Sequence, residues 1–405
     1  MTTAIELAVG LETWRIHVDD AGLLPLTRQE PPQGQSRSPR ELLREALEHP
    51  LELNVPLRRA LTPDDRVVLV VDEQLPSLAE LVTELVEHLQ SAGVKPAAIT
   101  VLVPPEGGRG QWLADLPDEI GDIRVETHDP EDPPRFAYLA TSAAGRRVYL
   151  NRTLVDADFI IVLTGRGYDP SCGYRGAANS LFPVFSNGET RASFVGQFQA
   201  RTLTRYPAMA KEAEEISWLI GMPFLIQVIE GVSDQIEEIV AGLPDCADEG
   251  IRRQDARWRA TVASRAETVI AAVSGDPQRI DFAALAWAVA TAARVVQPDG
   301  RIVLLTTAAP ELAEGAEILR QAEDPAAAER MMRKRKPDDW PASSLWTFAA
   351  KQARLMVAAG WPDDLIEDLF ATPLRHVAEL QRLIDAADSL LILQDAHKLM
   401  VDLAS

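Results

Sequence analysis

The fold is decided by residues 159–179, which have the sequence FIIVLTGRGYDPSCGYRGAAN. The first five residues are a continuous apolar run, which is typical of a strand that is buried on both faces. The residues that follow contain four glycines, which permit positive φ angles and a close approach of the backbone to a ligand. Because α/β proteins place their ligand sites at the carboxyl ends of strands, this loop predicts a binding site. It contains neither Lys nor His.

Similar apolar runs occur at residues 66–72 and 99–103, and residues 77–92 between them have helical spacing. Shorter strands are predicted at residues 123–127 and 147–150. This alternation of strands and helices indicates an α/β fold with right-handed crossovers.

We expect the three apolar runs to be neighbouring central strands of one largely parallel sheet, because each is apolar throughout. The loops after these strands would then converge at one edge of the sheet. These loops are residues 72–76, 104–110 and 165–179.

The second half of the chain indicates a smaller α/β unit. We therefore expect two α/β domains with largely parallel sheets, residues 1–250 and 251–405, and an interdomain cleft. Strands are predicted at residues 5–8, 14–18, 224–229, 301–306 and 389–393. Helices are predicted at residues 234–241, 247–273, 282–296 and 346–358, and after residue 393.

The 405-residue chain is 46% hydrophobic and 25% charged, as is usual for globular proteins. Its formal net charge of -21 argues against nucleic acid and anionic membrane surfaces as partners. The two cysteines, Cys172 and Cys246, are too few for a disulfide framework or a zinc site. With no signal peptide and no membrane-spanning run in the sequence, we expect a cytoplasmic protein. The sequence is compatible with a homodimer.

Charged side chains near the strand ends are candidates for catalysis or ligand binding. Asp72 and Glu73 form a pair of acids that could bind a cation or act as acid and base. Arg109 could bind a carboxylate or a phosphate, and a solvated loop arginine is the competing interpretation. The glycine spacing matches neither a P-loop nor a Rossmann fingerprint. His128 is interpreted as a turn histidine, and His397 as a capping or interface group at the start of a last helix.

Taken together, the strand-end loops resemble those of the lactate racemase family, the nickel-pincer enzymes. The resemblance implies the fold of that family, with a cleft between two domains and a nickel-pincer nucleotide as cofactor. The matching landmarks are residues 68–76, 92–94, 99–103, 128–130, 151–152, 156–158, 181–183 and 298–303.

The reactive residues of the family are replaced in this chain. Leu75 stands where the family has an arginine that holds the substrate carboxylate, and Gly108 stands where it has one catalytic histidine. Arg109 is retained. Asp169 replaces the other catalytic histidine, and Asn179 replaces the lysine that tethers the cofactor covalently.

The family's nickel-binding histidine is also missing, because no histidine occurs between His128 and His376. We therefore expect a lactate-racemase-like protein that has lost nickel-pincer chemistry, holds no cofactor or metal, and binds a small acidic molecule in the cleft. One alternative is an active 2-hydroxy-acid racemase, epimerase or related enzyme with an altered site. Another is a true racemase that holds its cofactor differently. The expected site residues are Asp72 and Asp169 as catalytic acids, and Arg109, Arg166, Arg175, Asn179 and Lys351 as ligand-binding groups.

Overall fold

The structure, a computed structural model, describes residues 2–28, 37–53, 55–105, 110–120, 122–169, 173–195 and 208–404. Within these ranges no helix is both long enough and apolar enough to cross a bilayer. The strands of the described residues are β1 (Thr2–Val9), β2 (Glu12–Asp19), β3 (Thr27–Arg28), β4 (Val67–Val71), β5 (Ile99–Val103), β6 (Arg124–Thr127), β7 (Phe136–Thr141), β8 (Arg147–Asn151), β9 (Phe159–Gly165), β10 (Gly167–Asp169), β11 (Gly173–Arg175), β12 (Phe224–Glu230), β13 (Ile236–Gly242), β14 (Arg259–Val262), β15 (Ala266–Ala272), β16 (Val296–Leu305), β17 (Arg354–Ala358), β18 (Ala371–Pro373), β19 (Leu390–Gln394) and β20 (Met400–Leu403). The α-helices are α1 (Pro39–Glu48), α2 (Leu78–Ser91), α3 (Arg152–Val155), α4 (Gly188–Val195), α5 (Ala208–Leu219), α6 (Cys246–Trp258), α7 (Phe282–Val295), α8 (Glu314–Gln321), α9 (Pro325–Arg335), α10 (Trp340–Gln352), α11 (Asp363–Asp368) and α12 (Val377–Asp385).

The first half of the chain builds a six-stranded sheet in the order β13-β12-β9-β4-β5-β6. Its strands run parallel except for the edge strand β13, which pairs antiparallel with β12. Leu69 of β4 lies opposite Val101 of β5 on one side and Ile161 of β9 on the other. The three apolar runs are therefore neighbouring, parallel and internal, which confirms the prediction made from their sequences.

Helices cover both faces of this first sheet, so that all five residues of β4 are buried. Val67, Leu69 and Val71 pack on one face against α1 and α2. Val68 and Val70 pack on the other face, against α3 and α6. This covering leaves the carboxyl edge of the sheet, where β4, β5 and β9 end, as the place where loops can form a site.

The second half of the chain builds a five-stranded, wholly parallel sheet in the order β18-β17-β16-β15-β19. Helices α7 to α10 pack on one of its faces. The opposite face is covered by α12 and by the N-terminal hairpin β1–β2, whose Leu7 and Val9 pack with Ile270 and Val303. The beginning of the chain thus completes the second core.

Four helix predictions after residue 233 are wrong or too long. The structure has strands at Ile236–Gly242, Ala266–Ala272, Arg354–Ala358 and Met400–Leu403. The alanine-rich β15 lies between β16 and β19, and pairing on both sides outweighs the helical preference of alanine. The predicted N-terminal strand pair and α7 are confirmed, as are the strands near residues 224–229, 301–306 and 389–393.

Candidate functional site

The loops that follow the three internal strands meet around Asp72 and Glu73. The backbone N–H of Asp72 donates to the carbonyl of Leu163 at 3.1 Å, and Asp72 Oδ2 lies 3.5 Å from the backbone nitrogen of Gly165. The backbone N–H of Gly110, in the loop after β5, donates to Glu73 Oε1 at 3.3 Å, and the indole N–H of Trp112 donates to the same oxygen at 2.7 Å. The described parts of the three loops therefore converge at the carboxyl edge of the first sheet, as expected from the sequence.

Arg109 and Cys172 lie outside the described residues. Leu75, which the sequence resemblance places at the family's arginine position, is 4% exposed and packs in the core of the first sheet. It therefore presents no polar group to a ligand.

The glycines of the 165–179 loop make room for the side chain of Arg175. A Cβ atom at Gly165 would lie 3.3 Å from Arg175 Nη2, and one at Gly167 would lie 3.4 Å from Arg175 Nε. The Nε atom is buried and has no hydrogen-bond partner among the described residues. The loop therefore packs around the guanidinium of Arg175 but leaves its Nε–H donor without an acceptor among the described residues.

Arg175 is held in an acidic environment. Burial opposes its charged form, but the carboxylates of Asp72, Glu230, Asp281 and Asp169 outweigh that effect and raise the pKa of Arg175. The two predicted catalytic acids, Asp72 and Asp169, are thus brought together with one predicted ligand-binding residue.

Arg166 has a different environment, because its guanidinium binds other parts of the protein. Its Nε donates to Gln227 Oε1 at 2.7 Å, and its two terminal nitrogens donate to the carbonyls of Arg175 and Ala247, each at 2.9 Å. Arg166 is 4% exposed. It therefore joins the glycine loop to β12 and α6, although it also lies at the wall of a cavity.

The last two predicted ligand-binding residues are separated by the fold. Asn179 Nδ2 donates to the carbonyl of Tyr174 at 2.9 Å and so braces the glycine loop. Lys351, near the end of α10, pairs with Glu329 of α9 at 2.9 Å. Lys351 lies at the wall of neither cavity described below, so the structure does not bring it to the other predicted residues.

Arg279 connects the two halves of the chain at this edge. Its Nε donates to the carbonyl of Gln74 at 2.8 Å, and its guanidinium also bonds to Asp234 and lies 3.3 Å from Glu230. The side-chain amide of Gln74 donates to Asp281 at 2.6 Å. The loop after β4 is thereby bonded to the segment that leads into α7.

Glu230 is the buried carboxylate on which this arrangement centres. It is 8% exposed, and Lys398 Nζ lies 3.1 Å from its Oε2. Burial raises the pKa of Glu230, but the charges of Lys398, Arg279 and Arg175 outweigh burial and lower this pKa to about 2. Glu230 is therefore ionised at neutral pH.

Sequence reasoning missed Glu230, Arg279 and Lys398. Glu230 could have been found, since it ends the apolar strand β12 just before Gly231, much as Asp72 directly follows β4. Lys398 has no comparable signal, because the segment after residue 393 is a turn and a strand where the sequence predicted a helix.

Two adjoining cavities lie among these groups, and both are lined by residues from the two halves of the chain. The small cavity has a volume of about 260 Å³. The large cavity has a volume of about 1150 Å³ and shares Gln74, Asp169, Arg279 and Asp281 with the small one. The predicted interdomain cleft stays a prediction. The small cavity is lined, among others, by Asp169, Arg175, Glu230, Gln254, Arg279 and His397.

Tyrosine hydroxyls fasten the glycine loop to α6. Tyr168 and Tyr174 each donate to Asp255 Oδ1 at 2.9 Å. Burial and the charge of Asp255 raise the pKa of Tyr168 far above its ordinary value, so the phenol stays a neutral donor. The ring of Tyr168 stacks on Trp287 with centroids 6.2 Å apart, which gives the small cavity an apolar wall.

The two histidines considered from sequence differ in their surroundings. His128 is 2% exposed, and its Nε2 lies 3.0 Å from the carbonyl of Ser186, as in a satisfied turn histidine. His397 lies in the turn after β19, and its Nδ1 is buried without a hydrogen-bond partner among the described residues. The interpretation of His397 as the start of a last helix was wrong, and the residue lines the small cavity.

Comparisons with known proteins agree with this architecture. Residues 10–194 match the family model described as the lactate racemase N-terminal domain, so this part of the chain belongs to that domain family. The lactate racemase apoprotein from Thermoanaerobacterium thermosaccharolyticum matches with a TM-score of 0.80 at 16% identity, over 99% of this chain and 100% of that chain. A protein from Thermotoga maritima matches with a TM-score of 0.68 at 12% identity, over 92% of this chain and 100% of that chain. No curated protein matches the sequence.

At these identities the solved structures show the fold alone. The protein is therefore an α/β protein with the lactate racemase fold. Residues 10–194 also belong to the lactate racemase N-terminal domain family, and the resemblance noted in the sequence is confirmed.

Gly176 provides a test of the loop geometry. Its φ is +90°, and an added Cβ atom would lie 2.7 Å from the carbonyl oxygen of Gly165. We expect Gly176→Ala to lower the free energy of unfolding in urea by more than Gly145→Ala. Gly145 also has a positive φ, +79°, but a Cβ atom added there would meet no other atom within 4 Å. Its substitution therefore costs only the backbone strain, which is about 1–2 kcal/mol. Equal losses in the two variants would contradict the steric argument.

Glu230 provides a pH test. Its pKa is about 2 in the folded protein, below the ordinary value of 4.5, so its ionisation stabilises the fold above pH 4.5. This contribution is lost as the pH falls from about 4.5 to about 2. We expect Glu230→Gln to lower the free energy of unfolding at pH 7 and to flatten its dependence on pH within that window. The exposed Glu12→Gln variant is the control, and an unchanged pH profile in Glu230→Gln would refute the assignment.

Proposed function

We propose that this lactate-racemase-like protein binds a small acidic molecule at the small cavity, with Arg175 as the anion-binding group. The observation that supports this proposal is the buried Nε of Arg175, which has no hydrogen-bond partner among the described residues. A buried donor without a partner costs about 1–3 kcal/mol, and a carboxylate oxygen is a strong acceptor for guanidinium N–H groups. A bound acid would therefore satisfy a group that the protein leaves unsatisfied.

The charges of the cavity wall favour Arg175 over the other cations. Arg279 and Lys398 both pair with Glu230, and Arg279 also bonds to Asp234. Arg175 forms no ion pair with the described residues and receives only the longer-range attraction of the surrounding acids. A ligand carboxylate can thus approach Arg175 without breaking an existing ion pair.

We further propose that nickel-pincer racemase chemistry has been lost. The residues present do not fit the family's covalent cofactor, because the position of the tethering lysine is Asn179. Its amide donates to the Tyr174 carbonyl, and an amide nitrogen is a poor nucleophile. Among the described residues, no group of three His, Cys, Asp or Glu side chains is placed to hold a metal ion.

A second candidate function is an enzyme that acts on a hydroxy acid or a sugar acid with altered chemistry. It is favoured by the position of Asp72 and Asp169, whose charges both act on Arg175. In such an enzyme Arg175 would hold the carboxylate, and one of the two acids would accept or donate a proton. Turnover on a panel of 2-hydroxy acids, followed by chiral chromatography, separates this candidate from a binding protein.

The binding proposal is tested by calorimetric titration with lactate, glycerate and gluconate. We expect at least one of these acids to bind, and Arg175→Gln to weaken it about 10- to 100-fold, the effect of losing a charged hydrogen bond worth about 1.5–3 kcal/mol. Lys351→Gln is the matched control, since it removes a cation that lies at the wall of neither cavity. The proposal fails if none of the acids binds, or if the two variants bind equally well.

The loss of nickel-pincer chemistry has its own test. After co-expression with the enzymes that synthesise the nickel-pincer nucleotide, we expect the intact mass of the protein to equal that of its polypeptide. We also expect no racemisation of lactate. An added mass that matches the cofactor, together with racemase activity, would overturn this part of the proposal and support the hypothesis of a racemase that holds its cofactor differently.

A further inference from the structure

Buried polar atoms without partners are concentrated at the small cavity. Besides Arg175 Nε, they include Gln254 Oε1 and His397 Nδ1, and all three residues line that cavity. Native proteins pair nearly all of their buried polar atoms, so each unpaired atom requires an explanation. Three such atoms around one cavity indicate a polar occupant that bonds to all of them.

The three side chains come from separate parts of the chain. Arg175 ends β11, Gln254 lies in α6, and His397 lies in the turn between β19 and β20. Gln254 is only 1% exposed, so its amide cannot be satisfied by bulk water. The site is therefore assembled by the tertiary structure and cannot be recognised as a sequence motif.

We propose that Gln254 and His397 are specificity-determining residues that bind the polar substituents of an acid whose carboxylate is held by Arg175. This inference rests on the proposed function and deepens it. Neither residue belongs to the strand-end loops from which the site was predicted, and neither occupies a position at which the family's reactive residues were compared.

The chemistry of the two side chains defines the ligand class. The amide of Gln254 can present its oxygen as an acceptor or its NH₂ group as a donor. Burial and the charge of Lys398, with smaller effects of Arg175 and Arg279, lower the pKa of His397 well below its ordinary value, against the opposing charge of Glu230. The imidazole is thus neutral and has one donor and one acceptor nitrogen. Hydroxyl groups both donate and accept, so they match both side chains.

The volume of the cavity sets the size of the ligand. Its volume of about 260 Å³ corresponds to about nine water molecules at about 30 Å³ each. A three-carbon acid would leave much of this space empty. The cavity fits a hydroxyl-rich carboxylic acid of about four to six carbons, with its carbon chain along the wall formed by Tyr168 and Trp287.

The inference predicts selectivity for polar over apolar acids of equal length. A site built to bind hydroxyl groups rejects an analogue that lacks them, because its own buried polar groups then remain unpaired. The probes are gluconate and hexanoate, which have six carbons each, and the measured quantity is the ratio of their dissociation constants in calorimetric titrations. We expect gluconate to be preferred at least tenfold by the wild-type protein.

Gln254→Met and His397→Phe remove the polar atoms and keep a side chain of similar size. We expect each variant to reduce the preference for gluconate at least tenfold, while its affinity for hexanoate stays the same or improves. Ser217→Ala is the matched control, because Ser217 Oγ is also buried without a hydrogen-bond partner among the described residues but does not line the small cavity. The melting temperature without ligand should not fall in either site variant, since Gln254 Oε1 and His397 Nδ1 have no hydrogen-bond partner to lose among the described residues. A lower melting temperature with unchanged selectivity would show a structural role and overturn the inference.

The outcomes separate this inference from the proposed function. If Arg175→Gln weakens gluconate binding as expected while Gln254→Met and His397→Phe leave the preference unchanged, the anion site stands and the specificity assignment fails. If gluconate and hexanoate bind equally well to the wild-type protein, water alone satisfies the two side chains, and the assignment fails again. If no acid binds, the proposed function itself fails.

Discussion

The arrangement at the carboxyl edge depends on one buried negative charge, that of Glu230. Three cations act on it, Arg175 from the glycine loop, Arg279 from the segment before α7, and Lys398 from the turn before β20. Removing one member of a buried charge cluster is costly, because the remaining charges lose compensation in a medium of low dielectric constant. The positions of these three segments, and with them the shape of the small cavity, are therefore coupled through Glu230.

The glycine loop has a role that differs from the usual one of glycine-rich loops in α/β proteins. Where such loops bind phosphates, glycines let backbone N–H groups approach the ligand. Here Gly165 and Gly167 leave space for the guanidinium of Arg175, which fills the volume that other side chains would occupy. The cationic group at this strand end is thus supplied by a side chain of the loop itself.

The predictable parts of this structure are those governed by local patterns. Long β-branched runs such as β4 predicted buried parallel strands, and the expected common direction of these strands predicted where their loops would meet. The alanine-rich segment of β15 misled the prediction, because helix propensity is a local preference while its strand state depends on pairing with β16 and β19. Arg166 was expected in the site for its charge, but its hydrogen bonds to Gln227 and two carbonyls come from contacts that the sequence does not reveal.

The sequence by itself determined the α/β class, the three internal strands, the convergence of their loops and the residue identities, such as Asn179, on which the proposed loss of nickel-pincer chemistry rests. These features follow from hydrophobic pattern and residue identity, which are properties of the chain alone. Only the tertiary structure decided that the N-terminal hairpin covers the second sheet, that Lys351 lies apart from the cavities, and that Gln254 and His397 share a wall with Arg175. These facts depend on contacts between segments far apart in the chain, whose geometry is set by the packing of both sheets and not by any local pattern.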